Sequence, residues 1–343
     1  MSDVLVFGYA AHGVSSAMRE RVAQFARTLG TIAHLEIGVF EAPSYEALAR
    51  AMATGKVDFG WLPPLAFIAL ERRGAATPLV SALRGGGTAF YSALIVRADS
   101  PLLEPEDLAG ASAAWVEPYS ASGYVVPRVG LAAVGVDPRV AFTEERFWHS
   151  HDAVVRAVVG GRADFGATYA GADADAQITR GGWMDVAGAH DAIRVLVRFG
   201  AIPGDVIAAR SQLSPLKRAT LTRSLLAMSQ EPEERLLLND AFRIDELGHW
   251  VSAGYDALRR LAEDASKRGL LEADAEAAES DKTLPPQEAP SSHSVHDKNA
   301  LTVERPSLVD TADEELGETS EMDAPDREGV ARTIDNEDKG ARG

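Results

Sequence analysis

The chain has 343 residues, no cysteine, and 34 Lys+Arg against 51 Asp+Glu, a formal net charge of −17. Lack of cysteine excludes disulfide frameworks, Cys-ligated zinc, iron–sulfur clusters and cysteine nucleophiles. The acidic balance argues against nonspecific phosphate-backbone binding, so nucleic acid is not an expected partner.

The charge is uneven. Residues 271–343 carry 20 acidic and 7 basic side chains, net −13, and none of the 23 aromatic residues. Such a segment buries too little apolar surface to offset its ordering entropy, so it is expected to be a disordered acidic tail. About 270 residues remain, enough for one large domain or two lobes with a substantial core. Met1-Ser2-Asp3 passes directly into an apolar run without a basic start or a small-residue cleavage site, so no export signal is expected. No stretch of about 18 apolar residues predicts a membrane-spanning helix.

Residues 4–7 predict a buried strand ending at Gly8, and Met18, Val22, Phe25, Ala26 and Leu29 give residues 15–29 a helical spacing behind Ser15 or Ser16 as cap. A strand over 35–40 follows. Ser44 caps a second helix that carries Leu48, Ala51 and Met52 inward and stops at Gly55. Residues 57–62 form a strand running into Pro63-Pro64. Strand, helix, strand, helix, strand is the pattern of a doubly wound sheet.

A second run of the same kind begins with a strand at 91–96. A short helical turn at 105–110, a strand at 113–116 and a helix at 122–134 follow. A strand around Phe142, a helix at 152–159 and a strand at 163–167 complete it. Strands at 196–199 and 206–209 and helices at 215–228 and 244–261 close the ordered part. The two halves share a coarse layout, but no repeat of 20–50 residues is found.

The stretch from Val116 to Pro127 reads Val-Glu-Pro-Tyr-Ser-Ala-Ser-Gly-Tyr-Val-Val-Pro. It sets small hydroxyl residues and a glycine between a strand and a helix, where free backbone N–H groups and the positive end of the helix dipole point outward together. That is an anion site, with Ser120 and Ser122 as hydroxyl donors and Gly123 allowing close backbone approach. Ordinary helix capping is the plainer alternative. His151 sits where a helix begins, and contact with an anion would raise its pKa. His149 and His151, two apart with no third ligand at familiar spacing, do not predict a metal site, and no cofactor is expected.

The chain resembles the phosphate/phosphite/phosphonate-type substrate-binding proteins of ABC importers. The resemblance rests on Ser44-Tyr45-Glu46-x-Leu48, Gly55-x-Val57-Asp58, Trp61-Leu62-x-Pro64, Tyr91-Ser92 and Asp107-Leu108-x-Gly110. It continues through Ser120-x-Ser122-Gly123-Tyr124-x-x-Pro127, Ser150-His151-Asp152-Ala153, Gly161-x-Ala163-Asp164-x-Gly166 and Ile202-Pro203. These run in the family's order over about residues 4–260. The resemblance implies an α/β fold of the class II periplasmic-binding-protein type: two doubly wound lobes, two hinge crossings and an interlobe cleft. Lobe one is then 1–88 with 194–270, and lobe two is 89–193. Carried over by position, Ser120, Ser122 and the amides around Gly123 hold phosphoryl-like oxygens, His151 adds a donor and Tyr91 a phenol near the hinge. Tyr9, Tyr45 and Trp61 are candidates for the lobe-one wall.

The chain departs from the family in three places. Ala121 stands where the family often has Thr, so one hydroxyl is missing. Phe199-Gly200 occupies a stretch where amine-recognising relatives offer an acid, with Asp173 and Asp175 in a region where another could sit. The missing export signal and the acidic tail are the third. The leading expectation is noncatalytic binding of a small oxyanion as the solute-binding component of an importer, with an ABC permease as partner if the protein is exported. A cytoplasmic sensor or regulatory protein on the same fold is the alternative. An enzyme finds no support from a nucleophile elbow or metal set, and Asp58 and Asp164 read as structural. Location stays open: cytoplasmic from the absent signal, periplasmic from the resemblance.

Overall fold

In a computed structural model, the described residues are 4–12, 14–84, 87, 89–172, 177–184, 186–252 and 254–271, with the backbone of 302–304. The predicted tail otherwise lies outside them, as do Asp173 and Asp175. Among the described residues no helix is long and apolar enough to cross a membrane.

The first half opens as its apolar spacing predicts. β1 (Leu5–Ala10), α1 (Ser16–Ala33), β2 (Ile37–Ala42), α2 (Tyr45–Ala53) and β3 (Phe59–Leu62) alternate, and β1 runs parallel between β2 and β3. Ser15 and Ser44 cap the two helices, accepting from the amides of Met18 and Ala47. The face of α1 that buries Val22, Phe25, Ala26 and Leu29 is the one read from the spacing. Pro63-Pro64 does more than end a strand: Pro64 opens α3 (Pro64–Arg72), because its fixed φ suits the first helical position and its missing N–H is not needed there. β4 (Ala76–Leu83) follows.

The second half contains β5 (Ala89–Arg97), a 3-10 turn at Pro105–Leu108, β6 (Ser112–Trp115), a single π turn at Ala121–Val125 leading into α4 (Val126–Ala133), and β7 (Glu144–Phe147). α5 (His151–Val159), β8 (Phe165–Ala172), β9 (Ile178–Gly181) and β10 (Ile193–Pro203) complete it. The chain then returns to the first lobe through β11 (Val206–Arg210), α6 (Pro215–Met228), α7 (Pro232–Phe242), β12 (Glu246–His249) and α8 (Tyr255–Lys267). Last comes β13 (Thr302–Glu304), a short strand on Arg198–Gly200 of β10, where the tail had been expected to be disordered.

Two sheets result, ordered β2-β1-β3-β11-β4-β12 and β7-β6-β8-β5-β10-β13, with β9 on β8. Both belong to one compact unit. The expected boundary at 193/194 falls inside the second sheet, because β10 pairs along β5 as far as Pro203. The chain therefore crosses between sheets after Arg84 and again at 204–205. Arg84 joins the two crossings through Asp205 at 2.8 Å, and the buried Tyr255 hydroxyl donates to the Gly204 carbonyl at 2.5 Å.

Two predicted elements are different. Phe142 lies outside a strand and packs its ring 5.0 Å from Phe165, so the strand begins two residues later. The helix expected over 244–261 is instead β12 followed by α8, separated at Gly254, whose φ of +85° is a left-handed conformation open to glycine.

Residues 44–60 recur as residues 150–166 with 8 of 17 positions identical, an internal repeat with a period far longer than 20–50 residues. α2 and α5 have 9 residues each and serine caps. Glu46 pairs with Arg50 at 3.1 Å and Asp152 with Arg156 at 3.2 Å. Gly55 and Gly161, at φ of +77° and +65°, end the two helices alike. Asp58 accepts the Val6 amide at 2.9 Å, and Asp164 accepts the Ser112 amide at 2.8 Å, each across 52 residues. In register, Gly8 faces Gly60 and Ala114 faces Gly166.

Candidate functional site

In each sheet the first strand of the parallel trio, β1 or β6, lies between the other two, so the chain steps out to β2 or β7 and crosses back over it to β3 or β8. Crevices at the carboxyl ends of such strands are where ligands bind in open α/β sheets. In the second lobe this position belongs to the turn 117–120. Ser120 is its N-cap: its hydroxyl oxygen accepts the Gly123 amide at 3.0 Å, which leaves the hydroxyl proton as the available donor. The Gly123 amide is thereby used inside the turn. A side chain at Gly123 would meet Val116 at 2.3 Å and the Ser120 oxygen at 2.7 Å, so glycine is required for the turn to close.

Ser122 is held by its backbone, its carbonyl accepting the Ser92 hydroxyl at 2.7 Å. Its own hydroxyl has no hydrogen-bond partner among the described residues. Amides in the first turn of a helix have no acceptor within it, so those of Ala121 and Ser122 are further donors.

His151 opens α5. Its Nδ1 lies 3.0 Å from the Thr168 hydroxyl, and its ring meets Tyr169 edge-on at 5.1 Å. Burial, and then the nearby Arg84 guanidinium, pull the imidazole down to about 4. The ring is therefore neutral at physiological pH.

Tyr45 opens α2 in the other lobe. Its amide donates to the Glu117 carboxylate at 3.0 Å, a hydrogen bond that joins the lobes. Burial, then the charges of Glu117 and Asp205, push its phenol above its ordinary range, with Arg84 acting the other way. The phenol thus stays protonated. Arg84 acts on both Tyr45 and His151, which places the two helix starts on one charge. Glu117 itself is only 3% exposed. Burial pushes its carboxyl up to about 7, against the Tyr45 amide and with help from Glu46.

The structure thus joins the serine turn to Tyr45 through Glu117, and sets Tyr45 and His151 near Arg84. The remaining sequence candidates are placed elsewhere. Tyr91 is next to Ser92 on β5, hence on the opposite face, with the Arg198 guanidinium 5.6 Å from its ring. The Tyr9 hydroxyl donates to Glu41 at 3.1 Å, in a lobe-one network with Arg19. Trp61 stacks on Phe242 at 4.5 Å and an interplanar angle of 5°, packed against the lobe-one core. These two expected wall residues are packing elements, because the alternation of β1 and β3 turns their rings into their own lobe. Asp58, with Arg210 at 2.8 Å, and Asp164, with Ser112, are structural as expected.

Sequence reading missed Glu117, Arg84 and Thr168. Only Glu117 carried a signal: an acid in a turn otherwise built for an anion is out of place. Among the described residues no group of three or more His, Asp or Glu side chains is placed to hold a metal.

Residues 7–253 match the family described as ABC transporter, phosphonate, periplasmic substrate-binding protein. The chain belongs to this family. As a member it is 26% identical over 242 residues to the phosphate-import protein PhnD of Mycolicibacterium smegmatis, covering 65% of this chain and 74% of that one. Its fold matches the binding protein component of an ABC phosphonate transporter from Pseudomonas aeruginosa with a TM-score of 0.67 at 20% identity, over 82% of this chain and 94% of the other. It also matches PhnD1 of Prochlorococcus marinus in complex with methylphosphonate, with a TM-score of 0.64 at 17% identity, over 78% and 100%.

Proposed function

We propose that this substrate-binding protein closes its two lobes over a small oxyanion of the phosphate, phosphite or phosphonate class and presents it to an ABC permease outside the cytoplasm, without catalysing a reaction. The observation that carries the reading is the joining of the serine turn to Tyr45 through Glu117, with Tyr45 and His151 both near Arg84. Relatives named for phosphate import and phosphonate transport support the same ligand class, and methylphosphonate is the ligand in the Prochlorococcus structure.

On this reading the second lobe provides most of the donors: the hydroxyls of Ser120 and Ser122, the first-turn amides and the neutral His151 ring. The protonated Tyr45 phenol adds a donor from the first lobe, so its hydrogen bond forms on closure. That gives the ligand a differential affinity for the closed form, which is what drives a hinge. Ala121 withholds one hydroxyl, which retunes the site toward ligands that need fewer donors. Tyr9, Trp61 and Tyr91 have no part in it.

Calorimetry with inorganic phosphate, phosphite and methylphosphonate is expected to find at least one binder. Ser122→Ala removes a hydrogen bond to a charged acceptor, about 1.5–3 kcal/mol, and weakens that binding roughly tenfold to a hundredfold. If all three anions leave the baseline flat, the reading is wrong.

A further inference from the structure

The turn proposed to offer hydroxyls to an external anion also carries a carboxyl of its own. Glu117 projects from the end of β6 into the start of α2 in the other lobe, where the Tyr45 amide donates to it at 3.0 Å. Ser44 already caps that helix through the Ala47 amide, so Glu117 fills the next donor position. The carboxyl is nearly sealed from water and has one hydrogen-bond donor among the described residues, with no basic side chain paired to it.

Its charged surroundings are Tyr45 and Glu46 on α2, with Arg50 paired to Glu46 at 3.1 Å. Beside Val116, whose carbonyl takes the His149 amide, His149 lies with its ring 4.6 Å from that of His12 in the first lobe. Arg84 and Asp205 lie beyond the Tyr45 ring at the crossings. A carboxyl buried with one amide donor and a neighbouring carboxylate prefers its neutral form, whereas the same carboxyl in an opened cleft is solvated and ionised.

We propose that Glu117 is a positioning residue that latches the two lobes, so that closure over the ligand takes up a proton on its carboxyl. The proposal rests on the oxyanion-binding reading above and adds its regulation. The closed form then binds more protons than the open form, and closure weakens as the medium becomes more alkaline. With an ordinary value of 4.5 in the open form and about 7 in the closed form, closure is about tenfold less favourable at pH 8 than at pH 6.

The test measures the affinity of the full chain for inorganic phosphate, phosphite and methylphosphonate from pH 6 to 8, in wild type and Glu117→Gln. Glutamine keeps an acceptor for the Tyr45 amide but cannot titrate, and the ligand's own titration is common to both proteins. The wild type is expected to lose about tenfold more affinity across the range than the variant. Superimposed profiles with binding intact overturn the latch and leave the binding function standing. Absence of binding in both proteins rejects the binding function and the latch with it. Should Glu117→Gln not fold, Glu46→Gln provides the second arm. Removing that neighbouring charge is expected to move the midpoint of the wild-type profile to lower pH, and an unmoved midpoint overturns the proposal.

Discussion

α2 with β3 and α5 with β8 share their serine caps, their i,i+4 ion pairs, their terminal glycines and their aspartate braces, yet the two helix starts are used differently. At α2 the Tyr45 amide is filled by Glu117. The residue at the matching place in the first half is Ala11, which brings no carboxylate to the start of α5. One start is therefore served by an internal carboxyl, and the other, at the neutral His151 ring, is on the proposed reading left for an external anion. Duplicated local structure can thus give two lobes unequal roles through a single side chain outside the repeat.

The largest expected asymmetry is in the aspartate braces. Asp58 is buried and paired to Arg210, whereas Asp164 is more exposed and, among the described residues, its carboxylate bonds only to Ser112. Removing one partner of a buried pair leaves the other uncompensated, so Asp58→Ala is expected to destabilise by about 3 kcal/mol. Asp164→Ala should cost only about 1 kcal/mol. Urea denaturation of both variants checks this, and equal losses would remove the distinction between the lobes.

The first helical residues come next. His151 titrates near 4 in the folded protein and near 6.5 when unfolded, so between those values the unfolded chain binds the extra proton and acidification destabilises the fold. His151→Gln is expected to lose less stability than wild type between pH 7 and pH 4.5, as read from urea midpoints. If both proteins lose the same, the ring is not held neutral by its surroundings.

The smallest effect sharpens the likeness. Ser44→Ala and Ser150→Ala each remove one cap bond and should cost about 1 kcal/mol apiece, with nearly equal shifts in melting temperature. A large inequality would show that the interlobe contact at Tyr45 supports one cap and not the other.

Much of the fold was legible because its signals are local. Serine caps, helical spacing and the glycines that end α2 and α5 each act within a few residues, and they placed the alternating elements of both lobes. β9 went unread and β12 was read as helix, because short strands at the margins of a sheet depend on pairing partners far along the chain, and β4 went unread because both its partners, β11 and β12, lie more than 120 residues further on. The repeat is visible in the sequence as Gly-Lys-Val-Asp-Phe-Gly and Gly-Arg-Ala-Asp-Phe-Gly, at a period well beyond 20–50 residues.

Sequence by itself determined the chemistry on offer: an anion-suited serine turn, histidine and tyrosine at capped helix starts, and a chain whose net charge lies mainly in residues 271–343. Only the tertiary structure decided which of these residues meet. Tyr9 and Trp61 turn into their own lobe's packing, while Glu117 crosses to the other lobe and becomes a buried acid. Burial and cross-lobe contacts join residues dozens of positions apart, and proton affinity responds to those surroundings rather than to neighbours in the chain.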